Sequence, residues 1–234
     1  DCEAIRIHLP LELLRWNCDW LPSRGQALAL QRPISYVLEG VQDLSDQFVS
    51  IECDTALVVA DVSADPERAA EAAHQTFANS VYRDMPDTDL QEICELAADV
   101  DILLMSVHGD LDADGSGNLE INDEEFDADT LAELEAGLIY FDSCQMGINQ
   151  DFLESLLDEQ NCWYYTAPVI SNDAGDSSTR TIHWFFENLQ QSGDPVASLF
   201  QTKKKLFAYY SERRLNLVKL LNKVLPFRLY EFDA

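Results

Sequence analysis

The chain has 234 residues, 47% hydrophobic and 25% charged, which is ordinary for a folded globular protein of one large domain or two small ones. Its formal net charge is −28, from 43 acidic and 15 basic residues, which argues against a protein that grips a nucleic-acid backbone directly. No apolar stretch reaches the length needed to cross a bilayer, and the opening DCEAIRIHLP lacks the basic and apolar regions of a secretory signal.

The runs IRIHLPLELL and ALALQRPISYVL predict strands interrupted at Pro10, Pro22 and Pro33. Thr55–Asp61 is a continuous β-branched and apolar run, the pattern of a buried strand. Pro66 and Glu67 suit a helix start and predict a helix running to about Asn79. Asp87 to Ala98 reads as a helix capped by Asp87 or Thr88, and Val100–Val107 as a strand ending at His108-Gly109. A short helix over 128–135 precedes a second buried strand, Leu138–Phe141, which ends at Asp142-Ser143-Cys144. A helix over 150–159, a strand Trp163–Ala167, an amphipathic helix over 177–191 and a largely helical stretch over 195–224 complete the pattern. Strand alternating with helix predicts an α/β sandwich with a mainly parallel sheet. The one weak linker candidate lies near residues 40–50.

Charge is unevenly spread. Residues 1–200 hold seven arginines and no lysine, whereas 201–234 hold eight basic residues against three acids. An acidic body attracts cationic substrates, and a basic tail suits docking on that body or on an acidic partner. The tail residues Leu206, Tyr209, Tyr210, Leu215, Leu217, Val218, Leu220, Leu221 and Val224 form an amphipathic pattern, read first as a core helix with a solvated basic face. Six cysteines, Cys2, Cys18, Cys53, Cys94, Cys144 and Cys162, form no CxxC pair and are too sparse for a disulfide framework. A reducing, cytoplasmic setting is the expectation. The absence of an initial Met suggests a piece cut from a longer chain.

Two predicted strands end in reactive residues, SVHGD and YFDSCQMG. Functional crevices of open α/β sheets lie at the carboxyl ends of strands, so His108 and Cys144 are expected on one edge. There an imidazole can take the thiol proton. The backbone N–H groups of Gly109 and Cys144 suit an oxyanion hole, and Gly147 suits a tight turn. The other cysteines and His8, His74 and His183 read as structural.

This order of motifs resembles the caspase-type cysteine peptidases, and most of all the CHAT domain. The family's apolar Pro-x-Glu-Leu-Leu and Leu-Ala-Leu-x-x-Pro-Ile patterns resemble Leu9–Leu14 and Leu28–Ile34. Its next strand and helix resemble Ala56–Asp61 and Pro66–Phe77, its Asp-x-x-Thr resembles Asp176–Thr179, and its last helix start resembles Gly193–Ala197. The likeness spans roughly residues 5–208. It implies a caspase-like three-layer sandwich with helices on both faces of the sheet. It also implies peptide hydrolysis with His108 as general acid/base and Cys144 as nucleophile. The domain layout it suggests is N-terminal strands over 1–50, a catalytic core over 51–208 and a basic helical tail over 209–234.

One departure from the family has a consequence. Asp142-Ser143-Cys144 resembles metacaspases and other Arg/Lys-specific relatives, in which the acid before Ser-Cys lines the specificity pocket. Asp176 or Asp173 would be the second acid, and cleavage after Arg or Lys follows. No cofactor is required by this chemistry. A second motif, Asp112 to Glu120, resembles a calcium-binding loop, with Asp112, Asp114, Ser116 and Asp123 as the oxygen donors for Ca²⁺. A strand, however, precedes it where such a loop needs a helix. The expected partners are a protein substrate and a regulatory domain or partner protein, repeat-containing in the family. The competing readings are a catalytically silent caspase-fold scaffold and a Ca²⁺-binding interaction module.

Overall fold

The computed structural model describes residues 3–41, 44, 47–85, 87–98, 100–171 and 176–233. The first part runs β1 (Ile5–Leu9), β2 (Pro22–Ser23), β3 (Gln26–Ala27), β4 (Ile34–Leu38), β5 (Thr55–Asp61), α1 (Ala69–His74), β6 (Asn79–Met85) and α2 (Leu90–Leu96). The middle runs β7 (Val100–Ser106), β8 (Gly109–Leu111), β9 (Gly117–Ile121), β10 (Glu124–Phe126), α3 (Ala128–Ala132) and β11 (Ala136–Phe141). The last part runs α4 (Gln150–Glu159), β12 (Tyr164–Pro168), α5 (Asp176–Ser192), α6 (Pro195–Ser211), α7 (Leu217–Val224) and β13 (Phe227–Glu231).

Among the described residues eight strands form one sheet in the order β1-β4-β13-β12-β11-β7-β5-β6. Every neighbouring pair is parallel except β12 with β13. The runs read as buried strands lie at its centre, because a parallel strand covered on both faces has no polar side. On one face Ala70 and Ala73 of α1, Ile182 and Phe186 of α5 and Leu199 of α6 pack with Val58, Leu104 and Tyr140. On the other, Ile93 of α2, Leu131 of α3 and Phe152 and Leu156 of α4 pack with Leu57, Leu103 and Ile139. The expected three-layer α/β sandwich is the architecture observed.

Three expectations need correction. The helix predicted from Pro66 to Asn79 begins only at Ala69 and ends at His74. Its start is set by the buried Asp65 carboxylate, which accepts from the N–H groups of Ala69 (2.9 Å) and Ala70 (2.8 Å). The chain then turns into β6, an edge strand beside β5 whose half-buried sequence NSVYRDM shows no apolar run. The helix after it is capped by Asp89, which accepts from the N–H of Glu92 at 2.8 Å, not by Asp87 or Thr88. The stretch 209–234, expected as a basic helical tail, holds α7 but also β13, which lies inside the sheet between β4 and β12. Residues 1–50, expected to hold strands, supply β1 and β4 to this sheet. No helix among the described residues is long and apolar enough to cross a membrane.

Candidate active site

β7 and β11 are adjacent parallel strands with Leu104 opposite Tyr140 and Met105 opposite Phe141. Past these strand ends the chain leads on to His108 after β7 and to Cys144 after β11. The two loops do meet: a Cβ built on Gly109 would stand 3.2 Å from the Cβ of Ser143 and from Cε of Met146. That crowding leaves glycine as the residue that fits without displacement.

Asp142 fastens this junction. Its N–H donates to the carbonyl of Met105 at 2.8 Å, and its Oδ2 accepts from Ser106 Oγ at 3.1 Å and from Ser178 Oγ. One buried carboxylate thereby joins β7, β11 and the first turn of α5. After Cys144 the chain passes Gln145, whose φ of 61° is left-handed, into a tight turn over Met146–Ile148. Tyr165 Oη donates to the carbonyl of Met146 (2.9 Å) and Tyr230 Oη to that of Gly147 (2.6 Å), so two buried tyrosines pin the turn from beneath. Gly147 is required by proximity: a Cβ there would lie 2.6 Å from the carbonyl oxygen of Ala167. The positive φ expected of a glycine falls on Gln145 instead.

The backbone of Gly109 suits an oxyanion donor. Glu120 N donates to the carbonyl of His108 at 3.1 Å, and Gly109 is opposite Leu119 in the antiparallel β8–β9 pair. In that pattern Gly109 and Leu119 are a non-hydrogen-bonded pair, whose N–H groups point away from each other. β8 is the edge of its three-stranded sheet, so the Gly109 N–H faces outward.

The His108 ring is half exposed, with 55% of its side chain accessible, and Nε2 lies 2.8 Å from Ser63 Oγ. It stands between two clefts. One, of about 580 Å³, is lined by Gly109, Asp110, Glu120, Asp123, Glu124 and Glu125. The other, of about 340 Å³, is lined by Asp61, Ser63, Met85, Glu120 and Asn122. Cys144, half buried, lines neither. The structure thus brings the two loops together while the imidazole makes its hydrogen bond on the β5 side. Sequence reasoning missed Asp61 and Ser63; their position after an apolar strand was the available signal.

The expected specificity acids are placed as follows. Asp142 is buried and engaged by two serines. Asp176 opens α5, accepting from Arg180 Nε at 2.8 Å and from Tyr210 Oη at 2.7 Å. Burial pushes the Asp176 carboxyl up, but the bonds from Tyr210 and Arg180 outweigh it and hold it below the usual range. Ser178, two residues on from Asp176 in α5, touches Asp142, and both acids already have partners. Asp173 lies outside the described residues.

The calcium-loop motif is a β-hairpin. Asp112, Asp114 and Ser116 lie in the turn between β8 and β9, where Asp114 Oδ1 accepts from the N–H (3.2 Å) and Oγ (2.7 Å) of Ser116. Asp123 belongs to the next turn, between β9 and β10, at the other end of β9. The four proposed donors are therefore split between two turns, and no helix flanks them. Among the described residues no group of three or more His, Cys, Asp or Glu is arranged to hold a metal ion. Cys18, Cys53, Cys94 and Cys162 are unbridged thiols, and Cys2 lies outside the described residues. Burial pushes the thiol of Cys53 up to about 11 and raises those of Cys94 and Cys162, which keeps them protonated and unreactive.

No family model and no curated protein matches the sequence. Solved structures do. The complex of Porphyromonas gingivalis RgpB pro- and mature domains aligns with 87% of this chain and 56% of that chain, at 12% identity and a TM-score of 0.54. A structure named simply as that of a protease aligns with 92% of this chain and 57% of that one, at 7% identity and a TM-score of 0.61. At such identities the likeness is one of fold. This chain spans less than two thirds of the length of either protein.

Proposed function

We propose that the chain is the catalytic domain of a caspase-like cysteine endopeptidase with the motif order of CHAT domains, acting as the regulated effector of a larger protein or complex. The observation that carries this reading is the β7–β11 register, which delivers His108-Gly109 and Ser143-Cys144 to one sheet edge in contact at Gly109 and Ser143. That one fold neighbour is a protease points the same way.

In this mechanism His108 removes the Cys144 proton and the thiolate attacks the scissile carbonyl carbon. The new carbon–sulfur bond pushes the carbonyl electrons onto oxygen, where the N–H groups of Gly109 and Cys144 receive the charge. The oxyanion collapses, the carbon–nitrogen bond breaks, and the imidazolium returns its proton to the leaving amine. Water, deprotonated by His108, then hydrolyses the thioester and restores the thiol.

The substrate is a protein cut after Arg or Lys, with Asp142 and Asp176 (and Asp173 beyond the described residues) as the acids of the pocket. Arg180 already pairs with Asp176, so a basic substrate side chain must displace it or share the carboxylate. A resident guanidinium at that position fits a peptidase that rests in a closed state until signalled. Calcium is not part of the mechanism.

The test is digestion of a mixture of unstructured proteins followed by mass spectrometry of new termini. Wild type and Cys144→Ala are run side by side, with Ca²⁺ and with chelator. Cuts after Arg or Lys in wild type only are expected. Cuts after other residues would remove the basic pocket and keep the peptidase. No cuts, together with no labelling of Cys144 by an electrophilic peptide, would favour the silent scaffold.

A further inference from the structure

His108 is met from the neighbouring strand by groups that the dyad does not use. The chain leaves β5 for β6 on one side and returns as β7 on the other, so the β5–β7 boundary is the switch point of the sheet, where such sheets open a crevice. Asp61 ends β5 at that boundary, and Ser63 follows it by two residues. Asp61 Oδ1 accepts from the Ser63 N–H at 2.8 Å, and Oδ2 accepts from Ser63 Oγ at 2.7 Å. The same Oγ is 2.8 Å from His108 Nε2, which is itself 4.0 Å from Asp61 Oδ2.

Proton counting decides the direction of these bonds. A serine hydroxyl has one proton, and an ionised carboxylate has none to give. With that proton on the Asp61 side, Ser63 Oγ meets the imidazole as an acceptor, and Nε2 must supply the N–H. Nδ1 then carries the lone pair. It is the one ring atom able to take the Cys144 proton.

We propose that Asp61 and Ser63 are positioning residues for His108, a hydroxyl-bridged carboxylate that fixes the Nε2–H tautomer and leaves Nδ1 as the base. After Nδ1 has taken the thiol proton, the same bridge carries the Asp61 charge toward the imidazolium and stabilises the ion pair with the thiolate. No other proton moves. The role in turnover rests on the cysteine-peptidase reading, whereas the tautomer does not depend on it.

Long-range ¹H–¹⁵N correlation spectra of the imidazole rings in the full chain test it directly, with the His108 signals assigned by their loss in His108→Gln. Wild type should show the Nε2–H tautomer. Ser63→Ala should give a tautomer mixture, and Ser63→Thr, which keeps the hydroxyl, should restore the wild-type pattern. An Nδ1–H ring in wild type, or a ring unmoved by Ser63→Ala, overturns the proposal. In turnover, Ser63→Ala should lower kcat about tenfold to a hundredfold with KM within about twofold, and Ser63→Thr should recover most of it. A tautomer set by Ser63 in a wild-type chain that cuts nothing and whose Cys144 is not labelled by an electrophilic peptide supports the positioning and removes the peptidase reading. Cleavage unaffected by Ser63→Ala, with the ring unmoved, keeps the peptidase and removes the bridge.

Discussion

Replacing Asp142 by Ala tests whether this acid holds the site together as well as lining it. The change takes Oδ2 away from Ser106 Oγ and Ser178 Oγ, two hydroxyls on buried residues with little water to turn to. A hydrogen bond to a charged acceptor contributes about 1.5–3 kcal/mol. Removing a carboxylate that is itself buried recovers part of that sum, leaving a net loss of about 2–4 kcal/mol. For a chain of this length each kcal/mol moves Tm by about 2–4 °C, so Asp142→Ala should melt about 5–15 °C below wild type. Asp142→Asn keeps one acceptor oxygen and should lose about half as much. Thermal unfolding followed by circular dichroism on the three proteins decides it. A Tm for Asp142→Ala within about 1 °C of wild type would refute the structural tie and leave Asp142 as a specificity residue alone.

Three further outcomes are expected. Gly147→Ala drives a Cβ against the carbonyl oxygens of Ala167 and Pro168, neither of which can swing aside; it should cost about 1–3 kcal/mol in urea unfolding and change the rate of Cys144 alkylation. Lys203→Met strands the buried Asp19 carboxylate, otherwise held by Lys203 Nζ and Tyr36 Oη, and should cost about 3–5 kcal/mol by the same method, with most of the loss recovered in the Lys203→Met, Asp19→Leu double variant. The folded structure holds the Asp176 carboxyl below its ordinary 3.8, so its stabilising contribution is present above that value and is lost as pH falls through the lower folded one. The Tm gap between wild type and Asp176→Asn should therefore hold at pH 5–7 and close below about pH 3.8; a gap unchanged at pH 2.5 would contradict the assigned shift.

Local pattern alone determined much of this protein. β5 is a continuous apolar run because a parallel strand buried on both faces must be one, and its predicted ends, Thr55 and Asp61, are those observed. The helix over 150–159 was legible for a similar reason, as an amphipathic segment with Phe152, Leu153 and Leu156 on its inner side. The ends of β7 and β11 were also legible, and with them His108, Gly109, Asp142 and Cys144 as a set worth placing together.

Tertiary structure decided the rest. β6 was unreadable because an edge strand needs little apolar surface. β13 was unreadable because it buries charge: Arg228 donates to the carbonyls of Leu14 (2.8 Å) and Trp16 (2.7 Å), and Glu231 pairs with Arg6. Those partners are more than two hundred residues away in sequence, so no local window reveals that such charges can be buried. The engagement of Asp142 by Ser178, of Asp176 by Tyr210 and of His108 by Ser63 likewise joins residues distant in sequence. Residue type and strand end told where reactive groups would gather; which hydrogen bonds they make was set by the packing of β5, β7, β11 and α5 against one another.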